Sequence, residues 1–183
     1  MPQISFKTLM STSTPTYSED IAKPFREELT SVGFTELLTP ADVDNALNKK
    51  DDKIVLLVLN SVCGCAAGRA RPGVILSLLN NLVPDEFVTL FAGMEKEAVN
   101  HFREKYLPGI TPSSPNIALF ENGELQHIIQ RYQVEGKSAG EIAAELVDTY
   151  NRLCTKKNSP ELMNTIKNYA AEKFQMNIQS VNI

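Results

Sequence analysis

The stretch VLLVLNSVCGCAAGRARPG, residues 55–73, joins an apolar run to two closely spaced thiols. The run begins slightly earlier, as KIVLLVLN at residues 53–60, and it is short, rich in branched side chains and without polar alternation. Such a run is typical of a strand that is buried on both faces of a sheet, and strands of that kind belong to α/β folds. The sequence therefore predicts a central buried strand that ends just before Cys63.

Cys63 lies between this strand and a predicted helix, on which Val74, Leu78 and Leu82 share one face and which runs to about Leu82. A thiol reacts as its thiolate, and a helix N-terminus favours the thiolate through its dipole and its unpaired N–H groups. The strand-to-helix turn should aim those groups at the sulfur, and Gly64 permits the turn to be tight. This pattern predicts that Cys63 is a reactive thiol.

Cys63 and Cys65 are too close together to cross-link distant parts of a fold, and the chain has three cysteines in all. A disulfide between them would close a ring one peptide unit smaller than that of a Cys-x-x-Cys pair, and a strained disulfide is labile. Arg69 and Arg71 follow and add positive charge, although solvated arginines contribute little. We interpret the pair as catalytic, redox-sensing or metal-binding. The lability of a disulfide between them favours a protein that catalyses thiol–disulfide exchange.

Hydrophobic periodicity predicts the element order α, α, β, α, β, α, β, β, α, followed by an added helix. Asn122-Gly123 is a tight-turn signal, so the strands on either side should be antiparallel neighbours. Thr39 and Ser159 each precede a proline and are predicted N-caps, whereas Pro72 is expected to kink its helix. Apart from the stretch already described, the predicted helices are 17–31, 39–50, 95–106, 138–153 and 159–176. The predicted strands are 87–93, 116–123 and 124–130.

Composition limits the partners and the location. The chain has 183 residues, 43% of them hydrophobic, and carries a net charge of −4. The charges are mixed along the chain, so neither nucleic acid nor a membrane surface is an expected partner. No apolar run approaches the roughly 20 residues of a membrane span, and the first residues lack the apolar centre of a signal peptide. We therefore expect a cytoplasmic protein with a mobile tail at residues 1–16.

Four segments resemble the bacilliredoxin family, thioredoxin-like proteins of bacteria with a Cys-Gly-Cys active site. They are NSVCGCAAGRARPG, FAGMEKEAV, PSSPNIALFENGE and EGKSAGEIAAELVDTY. The resemblance covers residues 17–154 and implies an α/β, thioredoxin-like fold with a central mixed sheet flanked by helices. Residues 155–183 are then a C-terminal helical extension. The implied activity is that of a thiol–disulfide oxidoreductase that removes bacillithiol, a low-molecular-weight thiol, from mixed disulfides on cytosolic proteins.

The resemblance also implies roles for individual residues. Cys63 corresponds to the nucleophile, Cys65 to the resolving cysteine and Pro115 to a cis-proline beside the substrate disulfide, with Gly64 and Ser114 as substrate-binding neighbours. The expected partners are S-thiolated client proteins and a low-molecular-weight thiol, and the sequence leaves a homodimer open. No resident cofactor is expected, since bacillithiol would act as a co-substrate. General protein disulfide reduction or isomerisation is the alternative activity within the family.

Metal binding is the alternative from another class of function. Cys63 and Cys65 could supply soft ligands together with Cys154, His101 or His127. Structural zinc sites usually draw paired ligands from two separated motifs, and the sequence has no second pair. We therefore expect no metal. Cys154 is interpreted as an ordinary semi-buried thiol, with a disulfide to another subunit or to an active-site cysteine left open.

Overall fold

One mixed sheet forms the centre of the protein. The computed structural model describes residues 13–175, so residues 1–12 of the expected tail lie outside the described part. Within residues 13–175, five strands pair in the order β1-β3-β2-β4-β5. Neighbours β1, β3 and β2 are parallel, whereas β4 runs antiparallel to β2 and to β5. The strands are β1 (Thr35–Glu36), β2 (Ile54–Asn60), β3 (Glu86–Phe91), β4 (Asn116–Glu121) and β5 (Glu124–Ile129).

Helices cover both faces of the sheet, which confirms the predicted α/β, thioredoxin-like class. No helix in the described residues is long and apolar enough to cross a membrane. Sequence periodicity missed β1 and the five-residue helix α5, because elements this short show no period. The helices are α1 (Glu19–Thr30), α2 (Pro40–Leu47), α3 (Arg71–Ser77), α4 (Lys96–Tyr106), α5 (Arg131–Glu135), α6 (Ala139–Leu153) and α7 (Pro160–Phe174).

Strand β2 lies at the middle of the core, and all seven of its residues are buried, as its apolar run predicts. Leu56 and Val58 pack with side chains of α1, α3, α6 and α7 on one face. Leu57 and Leu59 point to the other face and pack with α2 and α4. Burial of each such leucine stabilises the fold by roughly 2 kcal/mol, so the strand that leads to Cys63 is held firmly.

The helix after the cysteines differs from the prediction. Residues Ala66–Ala70 form a π-helical turn before α3, and the Arg71 N–H donates to the Ala66 carbonyl, five residues earlier. Pro72 lacks an N–H and would crowd the preceding turn of a regular α-helix, so the wider π turn accommodates it. Helix α3 then ends at Ser77, five residues before the expected end, in a turn.

Helix α1 carries apolar side chains at Ile21, Phe25 and Leu29, a spacing that predicts one buried face, and the structure differs from this at Ile21. Ile21 is 52% exposed, whereas Ala22, Arg26 and Leu29 are buried. Arg26 forms ion pairs with three carboxylates and lies 5.1 Å from the Phe91 ring centroid. These paired charges allow Arg26 to lie on the buried face of α1.

The last helix, α7, packs onto the same core as the rest of the chain. Its N-cap Ser159 accepts a hydrogen bond from the Leu162 N–H, as predicted. Ile166 and Ala170 are fully buried, Ile166 against the β2 face that α1 and α3 also cover. The division of the chain at residue 155 stays a prediction about sequence families, because packing in this structure is continuous across it.

Asp44 joins α2 to α4 and gives a prediction about pH. Its carboxylate accepts hydrogen bonds from Lys105, His101 and Tyr106, and these hold the pKa of Asp44 well below its usual range. A carboxylate whose pKa is lower in the folded state than in the unfolded state stabilises the fold, and this contribution is complete at pH values above the unfolded-state pKa of about 4. The contribution is lost as the pH falls below that value. Because 35% of the side chain is exposed, screening limits this contribution to about 1 kcal/mol.

We therefore expect Asp44→Asn to lower the free energy of unfolding at pH 6 and to differ progressively less from the wild type as the pH falls from 4 to 2. Urea unfolding followed by circular dichroism at each pH measures the difference. Asp148→Asn, at an exposed position on α6, is the matched control. A difference that grows towards low pH would contradict the assignment.

Candidate active site

The predicted site residues meet at one edge of the sheet. Leu59 near the end of β2 pairs with Asn116 at the start of β4. The segment that follows β2, with Cys63, therefore lies beside the segment that precedes β4, with Pro115. The Ser114–Pro115 peptide bond is cis. The antiparallel pairing thus brings two stretches that are more than 50 residues apart in sequence to the same edge of the sheet.

The two cysteines lie at this edge, on the segment that follows β2. Cys63 and Cys65 are paired as a disulfide with a Cα–Cα distance of 5.4 Å, and both side chains are half-buried, while Gly64 between them is exposed. The Ala66 N–H donates to the Cys63 carbonyl at 3.1 Å and lies 3.3 Å from the Cys63 sulfur. The start of the helix therefore aims a backbone N–H at this sulfur, which is the contact expected of a strand-to-helix turn.

Ser61 is a second donor to the same sulfur, and sequence reasoning missed it. Its hydroxyl lies 3.2 Å from the Cys63 sulfur, and its N–H donates to the Asn60 side-chain oxygen at 2.9 Å. The available signal was a hydroxyl residue two positions before the first cysteine. Serine at such a position is common in loops, so the sequence alone does not single it out.

The sequence predicts solvated arginines after the cysteines, and this is wrong for Arg71, whose side chain is fully buried. Its Nε and Nη2 donate to the Glu28 carboxylate at 2.6 and 3.2 Å. Its Nη1 donates to the Asn60 side-chain oxygen and to the Ser61 carbonyl, each at 3.0 Å. A buried cation must be paired with an anionic acceptor, and the Glu28 carboxylate on α1 serves as that partner. Through its contacts Arg71 therefore connects α1 to the loop that carries Cys63. Arg69 is exposed, as expected, and donates to the Glu135 carbonyl.

Arginines also hold the segment before Pro115. The Ser114 carbonyl accepts a hydrogen bond from Arg131 Nη1 at 3.3 Å. The Ser113 carbonyl accepts one from Arg103 Nη2 at 3.1 Å, and burial lowers the pKa of Arg103. Arg131 begins α5, the short helix that periodicity did not detect. These contacts position the main chain beside the cysteine pair.

The residues proposed for a metal centre lie in separate environments. Cys154 is buried at the end of α6, and burial, with a smaller effect of Asp85, raises the pKa of its thiol to about 12. It is a free, protonated thiol at neutral pH. His101 bonds Asp44, and His127 lies 3.1 Å from Glu145. Residues 13–175 contain no group of three or more histidine, cysteine, aspartate or glutamate side chains placed to hold a metal ion.

A buried central strand that ends at a half-exposed Cys-Gly-Cys disulfide, within a thioredoxin-like sheet, defines a thiol–disulfide oxidoreductase. The family model described as "Disulphide isomerase" matches residues 17–154. The chain belongs to the bacilliredoxin family. A bacilliredoxin from Cytophaga hutchinsonii is 47% identical over 137 residues, 75% of this chain and 99% of the relative. One from Salinibacter ruber is 44% identical over 144 residues, 79% of this chain and 84% of the relative.

Proposed function

We propose that the protein removes bacillithiol from mixed disulfides on cytoplasmic client proteins. The observation that carries the proposal is the environment of the Cys63 sulfur, which is half-exposed, faces two hydrogen-bond donors and lies beside the Cys65 sulfur. The name bacilliredoxin on the relatives supports bacillithiol as the thiol. No resident cofactor is needed, because both sulfurs that exchange electrons belong to the chain.

In the first proposed step, the Cys63 thiolate attacks the bacillithiol sulfur of the client mixed disulfide. The client sulfur leaves as a thiolate, and a new disulfide joins bacillithiol to Cys63. Gly64 is exposed and has no side chain, so it would leave the approach to the sulfur open. Ser114 and Pro115 would line the opposite side of the client segment.

In the second proposed step, the Cys65 thiolate attacks the Cys63 sulfur, bacillithiol leaves as a thiolate, and the Cys63–Cys65 disulfide forms. Return to the dithiol takes two electrons, which two molecules of a low-molecular-weight thiol or one dithiol partner supply as they are oxidised to a disulfide. An external thiol that attacks the adduct on Cys63 is the alternative to Cys65.

The test is intact mass spectrometry of a bacillithiolated test protein incubated with the reduced enzyme. We expect the client to lose the adduct mass and the enzyme to gain either the adduct or its internal disulfide. The same client carrying glutathione is the matched control, and we expect slower transfer from it. If the bacillithiolated client keeps its adduct at the rate seen without enzyme, the proposed function is wrong.

Disulfide isomerisation is the second candidate, and the description of the matching family model favours it. A client with scrambled disulfides separates the two activities. Recovery of native pairing with no transfer of bacillithiol would move the function to general protein disulfide exchange, with the same attack by Cys63. The expected partners would then be misoxidised proteins instead of S-thiolated ones.

A further inference from the structure

We propose that Ser61 is a further catalytic residue of the exchange reaction and that Arg71 is a positioning residue that acts through it. The inference rests on the proposed role of Cys63 as the attacking thiol. Ser61 touches the reacting atom, since its hydroxyl oxygen lies 3.2 Å from the Cys63 sulfur. Arg71 does not touch that sulfur in this arrangement but bonds the Ser61 carbonyl.

The chemical role of Ser61 follows from where charge appears during exchange. The Cys63 sulfur carries a negative charge when it attacks, and again when it leaves as a second thiol reduces a mixed disulfide on Cys63. A hydrogen bond to a charged acceptor is roughly twice as strong as one to a neutral acceptor. The Ser61 hydroxyl therefore stabilises the thiolate more than it stabilises the thiol or the disulfide, in addition to the Ala66 N–H.

The position of Ser61 is set by contacts at both ends of its backbone. Its N–H donates to the Asn60 side-chain oxygen, and its carbonyl accepts from Arg71. Asn60 is itself held, because its side-chain nitrogen donates to the Phe25 carbonyl at 2.9 Å. Ser61 is 7% exposed, so water has little room to replace these contacts. The hydroxyl is thus held close to the sulfur before a client arrives.

Arginine suits the position of Arg71 because one planar guanidinium serves four acceptor atoms on three residues. Nη1 bonds both the Asn60 oxygen and the Ser61 carbonyl, while Nε and Nη2 bond the two oxygens of Glu28. Lysine has one nitrogen and cannot reach acceptors on both sides in fixed directions. Arg71→Lys should therefore keep the buried charge while loosening Ser61.

The experiment measures the rate of Cys63 alkylation by iodoacetamide as a function of pH, by intact mass spectrometry, with Cys65→Ser as the background. We expect Ser61→Ala to raise the pH of half-maximal rate by about one unit, since one unit corresponds to a hydrogen bond of ordinary strength. Ser61→Thr, which keeps the hydroxyl, should restore the wild-type profile. Arg71→Lys should shift the profile in the same direction as Ser61→Ala, by a smaller amount.

Ser77→Ala is the matched control, because it removes a buried hydroxyl that bonds Tyr150 and Val74 and should leave the profile unchanged. Thermal unfolding of each variant identifies any that fail to fold. An unchanged profile in Ser61→Ala, or equal shifts in Ser61→Ala and Ser61→Thr, would overturn the role of Ser61. A wild-type profile in folded Arg71→Lys would overturn the role of Arg71. Iodoacetamide needs no bacillithiol, so this result is independent of the dethiolation test.

Discussion

Cys63→Ser is expected to abolish transfer of bacillithiol from a client, a loss on the order of 10³-fold or more, because a serine hydroxyl is scarcely ionised at neutral pH. Cys65→Ser is expected to keep the first step and to accumulate the adduct on Cys63. The physical reason is the asymmetry of the pair, since the described donors, the Ser61 hydroxyl and the Ala66 N–H, both point at the Cys63 sulfur. Intact mass spectrometry with time locates the adduct.

Cys154→Ser is the matched control for these variants. The thiol of Cys154 is buried, and burial raises its pKa to about 12, so it contributes no thiolate at neutral pH. Transfer should continue at the wild-type rate once the variant is shown to fold. Accumulation of the adduct on Cys65 in the Cys63→Ser variant would reverse the assignment of attacking and resolving thiols.

The second large effect concerns stability and the C-terminal helix. Ile166→Ala is expected to lower the free energy of unfolding by about 3 kcal/mol, the usual cost of truncating a fully buried side chain. Ile166 lies outside residues 17–154, the part matched by the family model, yet packs against the core of that part. The variant therefore tests whether α7 is an integral part of the folded unit.

Urea unfolding followed by circular dichroism measures this effect. Lys167→Ala, at the next position and exposed, should change the free energy of unfolding by less than about 0.5 kcal/mol. Equal and small effects of both substitutions would mean that α7 unfolds separately from the rest of the chain. In that case removal of residues 159–183 should leave the unfolding transition unchanged as well.

Much of the architecture could be predicted because its signals are local. The apolar run of β2, the Asn122-Gly123 turn and the N-caps Thr39 and Ser159 all appear where the sequence indicates. Each depends on residues within one turn or one strand. The errors occur where elements are too short to show a period, as in β1 and α5, or where Ala66–Ala70 form a π turn that the periodicity did not indicate.

The sequence by itself determined the pair of thiols, because a buried strand followed by Cys-Gly-Cys is a continuous stretch. The class of protein followed from the resemblance of four sequence segments to a known family. Only the tertiary structure decided that Arg71 is buried, since its carboxylate partner Glu28 lies 43 residues away in the chain. Only the tertiary structure likewise shows that Arg131 donates a hydrogen bond to the Ser114 carbonyl, because the two residues are 17 positions apart in the chain. The burial and hydrogen-bonding of such side chains depend on partners that folding brings together, so the structure had to show what surrounds Cys63.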